Sequence, residues 1–169
     1  MRRVLTPHPD FPADYSIEAK IARDARSLTL RYRVTGAIAG IAIPPPATPI
    51  RTDELWKHTC FEAFLQPTPG DAYFEFNFAP STQWAAYAFT GYREGMTPAD
   101  VPAPIIETHA TDTTLELRVT LTDLPPGPCR VAVTAVIETK SGAKSYWALA
   151  HPPGRPDFHH IAGFAYDLP

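Results

Sequence analysis

Two cysteines, two methionines and nine glycines are all that this chain of 169 residues holds of those types. A chain of this length buries roughly 68–70% of its unfolded surface on folding, so it needs neither disulfide nor metal to hold a core. Cys60 and Cys129 therefore read as thiols packed in strands, as a reducing compartment allows. No run approaches the ~20 apolar residues of a membrane-spanning helix. The opening MRRVLTPHPDFPADY lacks the apolar stretch of a secretory signal, which makes the cytoplasm the expected location. Charge of one sign is missing too: 15 Lys and Arg stand against 18 Asp and Glu, scattered along the chain. There is no basic stripe for nucleic acid or an anionic membrane surface, so neither is an expected partner. The phosphate-cradling loop, the dinucleotide fingerprint and the G-x-S-x-G elbow are absent.

Proline is what the chain has in excess, 20 residues against 9 Gly. Proline breaks helix interiors and sits badly in central strands, so a helical bundle is excluded and short elements between rigid turns are expected. The two types together still fall below the ~25–30% of disordered chains. With 44% hydrophobic and 11% aromatic residues the chain is globular, one domain over 1–169.

Period-2 alternation is the strongest local signal. In Ser27–Thr35 the residues Leu28, Leu30, Tyr32 and Val34 alternate with Thr29, Arg31, Arg33 and Thr35, as in a half-buried antiparallel strand. Thr113–Thr122 and Arg130–Glu138 repeat the pattern. In Thr59–Gln66, Ala72–Phe78 and Gln83–Tyr92 both alternating sets are largely apolar, as in strands covered on both sides. Only Glu62, Glu75 and Asn77 interrupt them. Pro67–Asp71 reads as a hairpin turn, and the stretches 35–55 and 93–104 as long Pro-rich loops able to rim a site. The fold class is an all-β antiparallel sandwich, jelly-roll or immunoglobulin-like.

Glu62 and Glu75, on adjacent strands, face the same side. Such a pair can hydrogen-bond sugar hydroxyls, hold a cation, salt-bridge to Arg93 or Arg118, or serve as acid and base in glycoside hydrolysis. Trp56, at the end of a long loop, and Trp147 present flat faces for stacking on a sugar ring, whereas Trp84 alternates with Ala86 and Ala88 and reads as core. The densest polar cluster is His151, Asp157, His159 and His160. It matches no standard zinc spacing, and the adjacent His159 and His160 would point apart in an extended segment.

Three blocks, ELWKHTCFEAFLQP at 54–67, AYFEFNFAPSTQWAAYAFTGYREGM at 72–96 and SYWALAHPPGRPDFHH at 145–160, carry a resemblance. Through Trp56, Glu62, Phe64, Leu65, Tyr73, Glu75, Phe76, Pro80 and Trp84 the chain resembles the DOMON-like domains related to family 9 carbohydrate-binding modules. The third block is similar to a stand-alone bacterial subgroup. The resemblance spans residues 27–164 and implies a β-sandwich that binds a sugar, haem or another small ligand without transforming it. Sugar modules of that group hold the ligand between tryptophans and carry structural calcium.

The expectation is thus a non-catalytic domain that binds a small molecule, carbohydrate foremost, through Trp56, Glu62, Glu75, Asn77, Arg93, Trp147, His151, His159 and His160. Two alternatives stand beside it. One is a metal-dependent hydrolase using His151, Asp157 and His159 with Glu62 as general base. The other is a haem module with Met96 and a histidine as axial ligands. The sequence names no cofactor and no oligomeric state.

Overall fold

The computed structural model describes residues 2–24 and 26–169. Twelve strands run through them: β1 (Arg2–Pro7), β2 (Tyr15–Asp24), β3 (Ser27–Gly36), β4 (Cys60–Pro67), β5 (Tyr73–Phe78), β6 (Trp84–Phe89), β7 (Thr97–Pro98), β8 (Ile105–Ala110), β9 (Thr114–Leu121), β10 (Cys129–Glu138), β11 (Lys144–Ala148) and β12 (Tyr166–Leu168). The strands follow one path, β7-β6-β5-β4-β10-β11-β1-β2-β3-β9-β8, with β12 added on β10, and all pair antiparallel. The hairpin expected at Pro67–Asp71 joins β4 to β5.

The sheet curls because β1 changes partner midway. Arg2–Leu5 pair with β2, while Thr6 and Pro7 pair with Ala148 and Trp147 of β11. The two halves of the sheet thereby enclose one core. Leu28, Leu30, Tyr32 and Val34 of β3 and Leu115, Leu117 and Val119 of β9 meet Phe61 and Ala63 of β4 and Val131, Val133, Ala135 and Ile137 of β10, all fully buried. Full burial of each large side chain contributes about 1.5–3 kcal/mol. The Tyr32 ring lies 5.0 Å from that of Phe61, and its hydroxyl donates to the Glu62 carbonyl at 2.6 Å, tying one half to the other.

Since successive strand residues face opposite ways, burying Phe61, Ala63 and Leu65 inward turns Cys60, Glu62 and Phe64 outward. The outward face of β4, β5, β6 and β10 carries a second cluster, Phe64, Tyr73, Ala85, Tyr87, Phe89 and Ala132, covered by Phe164 with Leu55, Trp56 and Phe158. One part of that cover is the 3-10 turn Leu55–Lys57, and Arg51, which precedes it, pairs with Trp84 along the β6 edge. The Arg51 guanidinium donates to the carbonyls of Ala86 and Ala99 at 2.8 and 2.9 Å and lies 4.4 Å over the Trp84 ring. Trp84 itself is core, as its alternation implied.

Candidate functional site

A cavity of about 460 Å³ opens on this second face. Its floor comes from alternate residues of β4 and β5, Glu62, Phe64 and Glu75, and from Val136 of β10. The register sets Glu62 opposite Asn77 and Phe64 opposite Glu75, so the two carboxyl groups lie diagonally across neighbouring strands. Trp56, Phe89, Tyr146 and Phe158 supply aromatic walls, and Lys57, Arg93, Met96, Lys144, Pro156 and His159 complete the lining.

The polar floor is almost sealed: Glu62 is 2% exposed, Glu75 6% and Asn77 0%. Asn77 Nδ2 donates to Glu75 Oε1 at 2.8 Å, and Thr134 Oγ1 donates to Glu62 Oε2 at 3.2 Å. Glu62 Oε1 is buried without any hydrogen-bond partner. Burial, then the neighbouring Glu75 charge, pushes the Glu62 carboxyl well above the usual carboxylate range. Burial raises Glu75 as well, against the pull of the Asn77 hydrogen bond and the Arg93 charge. A buried polar atom left unpaired costs about 1–3 kcal/mol. Such a cost in a cleft marks a candidate binding position.

One wall is a relay from strand to loop. The Arg93 backbone N–H donates to the Tyr73 hydroxyl at 3.2 Å, and that hydroxyl lies 2.7 Å from His159 Nδ1. The other ring nitrogen, His159 Nε2, lies 3.6 Å from Glu75 Oε2. Burial, helped by the Arg93 charge, lowers His159 to about 4, which leaves a neutral imidazole at pH 7. The ring is wedged edge-on against Phe64 and Phe89 at 5.2 Å from each.

Arg93 holds a left-handed backbone (φ 56°) in the turn after β6, a conformation that costs a non-glycine residue on the order of 1 kcal/mol or more. It aims the guanidinium at Asp157 Oδ1, 2.7 Å away, while the Tyr92 hydroxyl bonds the other carboxylate oxygen. Asp157 Oδ1 also accepts the His159 N–H at 3.1 Å. The turn after β6 is thus latched to the C-terminal segment over the cavity.

Of the nine expected site residues, Trp56, Glu62, Glu75, Arg93 and His159 line this cavity, and Asn77 supports it from below. Trp56 is half-buried, edge-on to the Tyr87 ring at 6.1 Å. Three residues lie elsewhere. Trp147 is turned into the core, with its indole N–H on Ser145 Oγ, because Ala135 opposite it also faces the core. Its neighbour Tyr146 takes the place on the cavity wall. His151 bonds the Thr6 carbonyl at 2.9 Å and packs edge-on against His8. His160 caps the 3-10 turn Ile161–Gly163 and lines a separate hollow beside Tyr92. His159 and His160 lie in a turn rather than an extended segment, and both border that hollow, while only His159 also lines the cavity. Sequence reasoning also passed over Phe158, Lys57 and Lys144, for which no local pattern gave a signal.

The catalytic cluster considered above does not assemble. Asp157 and His159 are neighbours, but His151 sits at the β1 end of the segment, and among the described residues no group of three or more His, Cys, Asp or Glu could hold a metal ion. Met96 and His159 both line the cavity, with His159 Nδ1 bonded to Tyr73 and Nε2 3.6 Å from Glu75. Arg118 pairs with Glu107 on the other half of the sheet, away from Glu62 and Glu75.

No family model and no curated protein sequence matches the chain. Solved structures do. The fold is similar to that of a candidate carbohydrate-binding protein from Bacteroides uniformis, with a TM-score of 0.69 over 96% of this chain and 83% of that one at 16% identity. It is also similar to a family 9 carbohydrate-binding module from Caldicellulosiruptor kristjanssonii in complex with cellotriose, with a TM-score of 0.58, 10% identity, and coverage of 91% and 74%. A family 9 module from the same organism in complex with glucose gives 0.51 at 12% identity over 92% and 76%. At these identities the likeness is one of fold.

Proposed function

We propose that this protein is a non-catalytic binding module whose ligand is a carbohydrate held in the cavity over β4, β5 and β10. The observation that carries the reading is the pairing of a buried polar floor with aromatic walls. Glu62, Glu75 and Asn77 offer hydrogen-bonding atoms at the bottom, one of them unpartnered, under Trp56, Tyr146 and Phe158. Carboxylate hydrogen bonds orient hydroxyl groups, and an aromatic face accepts the apolar C–H face of a sugar ring. A volume of about 460 Å³ falls in the range of roughly 300–1,000 Å³ for small-molecule sites. The structural neighbours complexed with cellotriose and glucose support the same ligand class. In this reading the domain is DOMON-like and the curled sheet corresponds to the two layers of a sandwich.

Calorimetric titration with cellotriose and glucose tests it. Trp56→Ala is expected to weaken cellotriose binding by at least about tenfold, while the Tm falls by no more than about 4 °C, the equivalent of ~1–2 kcal/mol in a chain this size. Absence of binding by the unaltered protein, or unchanged binding by a folded variant, would overturn the proposal. Unfolding of the variant would make Trp56 a core residue and remove it from the site.

A further inference from the structure

Hydroxyl groups of a neutral sugar are served by ordinary hydrogen-bonding residues and do not require two carboxyl groups buried side by side. Glu62 and Glu75 are nonetheless 2% and 6% exposed on the cavity floor, and Glu62 Oε1 has no partner. Two of the three cations that line the cavity are directed elsewhere. Lys57 Nζ is held by Glu54 at 2.7 Å and the Arg93 guanidinium by Asp157 at 2.7 Å, and among the described residues no lysine or arginine pairs with either floor carboxyl. His159, 3.6 Å from Glu75, is an uncharged imidazole whose Nδ1 is bonded to Tyr73. Lys144 is a lining residue on β11.

Two acids on one buried floor, with the nearby Arg93 guanidinium already bonded to Asp157, leave a place for a further positive charge, and aromatic walls favour the same occupant, since ring faces attract cations. We propose that the cavity selects a sugar bearing a protonated amine, with the ammonium group on Glu62 Oε1 beside Glu75 and the ring between the aromatic walls. This rests on the carbohydrate reading above and narrows it to amino sugars. The ammonium supplies donors to the floor atom that the chain leaves unpaired, and its charge favours the ionised form of Glu62 that burial and the neighbouring Glu75 otherwise oppose. An N-acetylated sugar keeps the ring but lacks the charge, so it lacks the advantage.

The test is calorimetric titration of the whole protein at pH 7 with glucose, glucosamine, N-acetylglucosamine and choline, and of Glu62→Gln with the first two. Glucosamine is expected to bind at least about tenfold more tightly than glucose or N-acetylglucosamine, a margin typical of a charge-assisted contact. In Glu62→Gln the ratio of glucosamine to glucose affinity falls to near one. Equal or tighter binding of glucose by the native protein would overturn the amine proposal and leave the carbohydrate reading standing. Binding of choline with no binding of any sugar would overturn both, leaving a cation site. The native-protein ratio decides even if the variant fails to fold.

Discussion

The two outward faces of the curled sheet are built by the same alternation and reach opposite electrostatic solutions. On the half formed by β2, β3 and β9, most outward side chains are charged or threonine, and the charges meet opposite charges in water. Arg31 and Arg33 reach Glu116 at 2.6 and 3.5 Å, Arg118 reaches Glu107 at 3.6 Å, and Arg2 pairs with Glu18. On the half formed by β4, β5 and β10, the same alternate positions hold Glu62, Glu75 and Asn77, roofed by the Leu55–Lys57 turn, the turn after β6 and the segment around Phe158. Among the described residues no arginine or lysine forms a salt bridge with them. Exposed ion pairs change stability by ~0–1 kcal/mol and can be lost without consequence. Buried carboxyls without a counter-charge are costly, so their presence on a strand that could have carried valine points to a role outside folding.

The sharpest way to break this contrast is through pH, because only the roofed face should respond strongly. His159 keeps its imidazole neutral down to about 4, against about 6.5 in the unfolded chain. Between those values the unfolded state binds the extra proton, so the stability held above pH 6.5 drains as the pH falls toward 4. The loss attributable to this group is about 3 kcal/mol. Urea denaturation of the native protein and of His159→Gln, which retains an acceptor for Tyr73 and cannot titrate, should show a difference that shrinks by this amount between pH 7 and pH 4. A difference that stays flat would mean that the roof leaves His159 open to water.

Glu62 titrates with the opposite sign. Its folded pKa is raised, so the folded state binds the extra proton, and its contribution is full below about pH 4.3 and is lost as the pH rises through the raised value. Glu62→Gln should therefore be more stable than the native protein at pH 8 by about 1–3 kcal/mol, the usual cost of an unsatisfied buried polar group. The gain should vanish near pH 4. Thr134 can still donate to the amide oxygen, and the substitution adds no charge. A variant less stable than the native protein at pH 8 would make the carboxyl part of the fold's support and dissolve the contrast between the faces.

The residues explain which parts of this arrangement were readable in sequence. β3, β4, β5, β6, β9 and β10 carry large apolar side chains at alternate positions, so their faces could be assigned, and with them the shared face of Glu62 and Glu75. β8 is an edge strand with most of its side chains in solvent, and β1 buries only Leu5 fully, so neither shows an apolar face to detect. β2 buries Ala19 between Ile17 and Ile21, too small a side chain to sustain the pattern. In β11 the choice between Tyr146 and Trp147 for the cavity depended on register alone. The larger ring drew the expectation, and pairing of Ala135 with Trp147 and Val136 with Tyr146 reversed it. His159 was separable from His160, and both from His151, only once Tyr73 and Glu75 gave it partners across some eighty residues of chain.

The smallest effect belongs to the open face and serves as its control. Glu116 accepts from Arg31 at 2.6 Å and stands near Arg33, and the Arg31 hydrogen bond holds its carboxyl below the usual range. Replacing it by Gln removes the charge from both contacts but leaves every group in reach of water, so no desolvated partner is stranded. Stability at pH 7 should fall by less than about 1 kcal/mol, and the fall should shrink as salt shortens the screening length to ~3 Å near 1 M. Sugar titrations should be unaffected, since Glu116 lies on the half of the sheet without the cavity. A loss above about 2 kcal/mol that persists in salt exceeds what an exposed pair supplies and would place Glu116 in the same energetic class as Glu62. In that case burial would no longer be what separates the two faces.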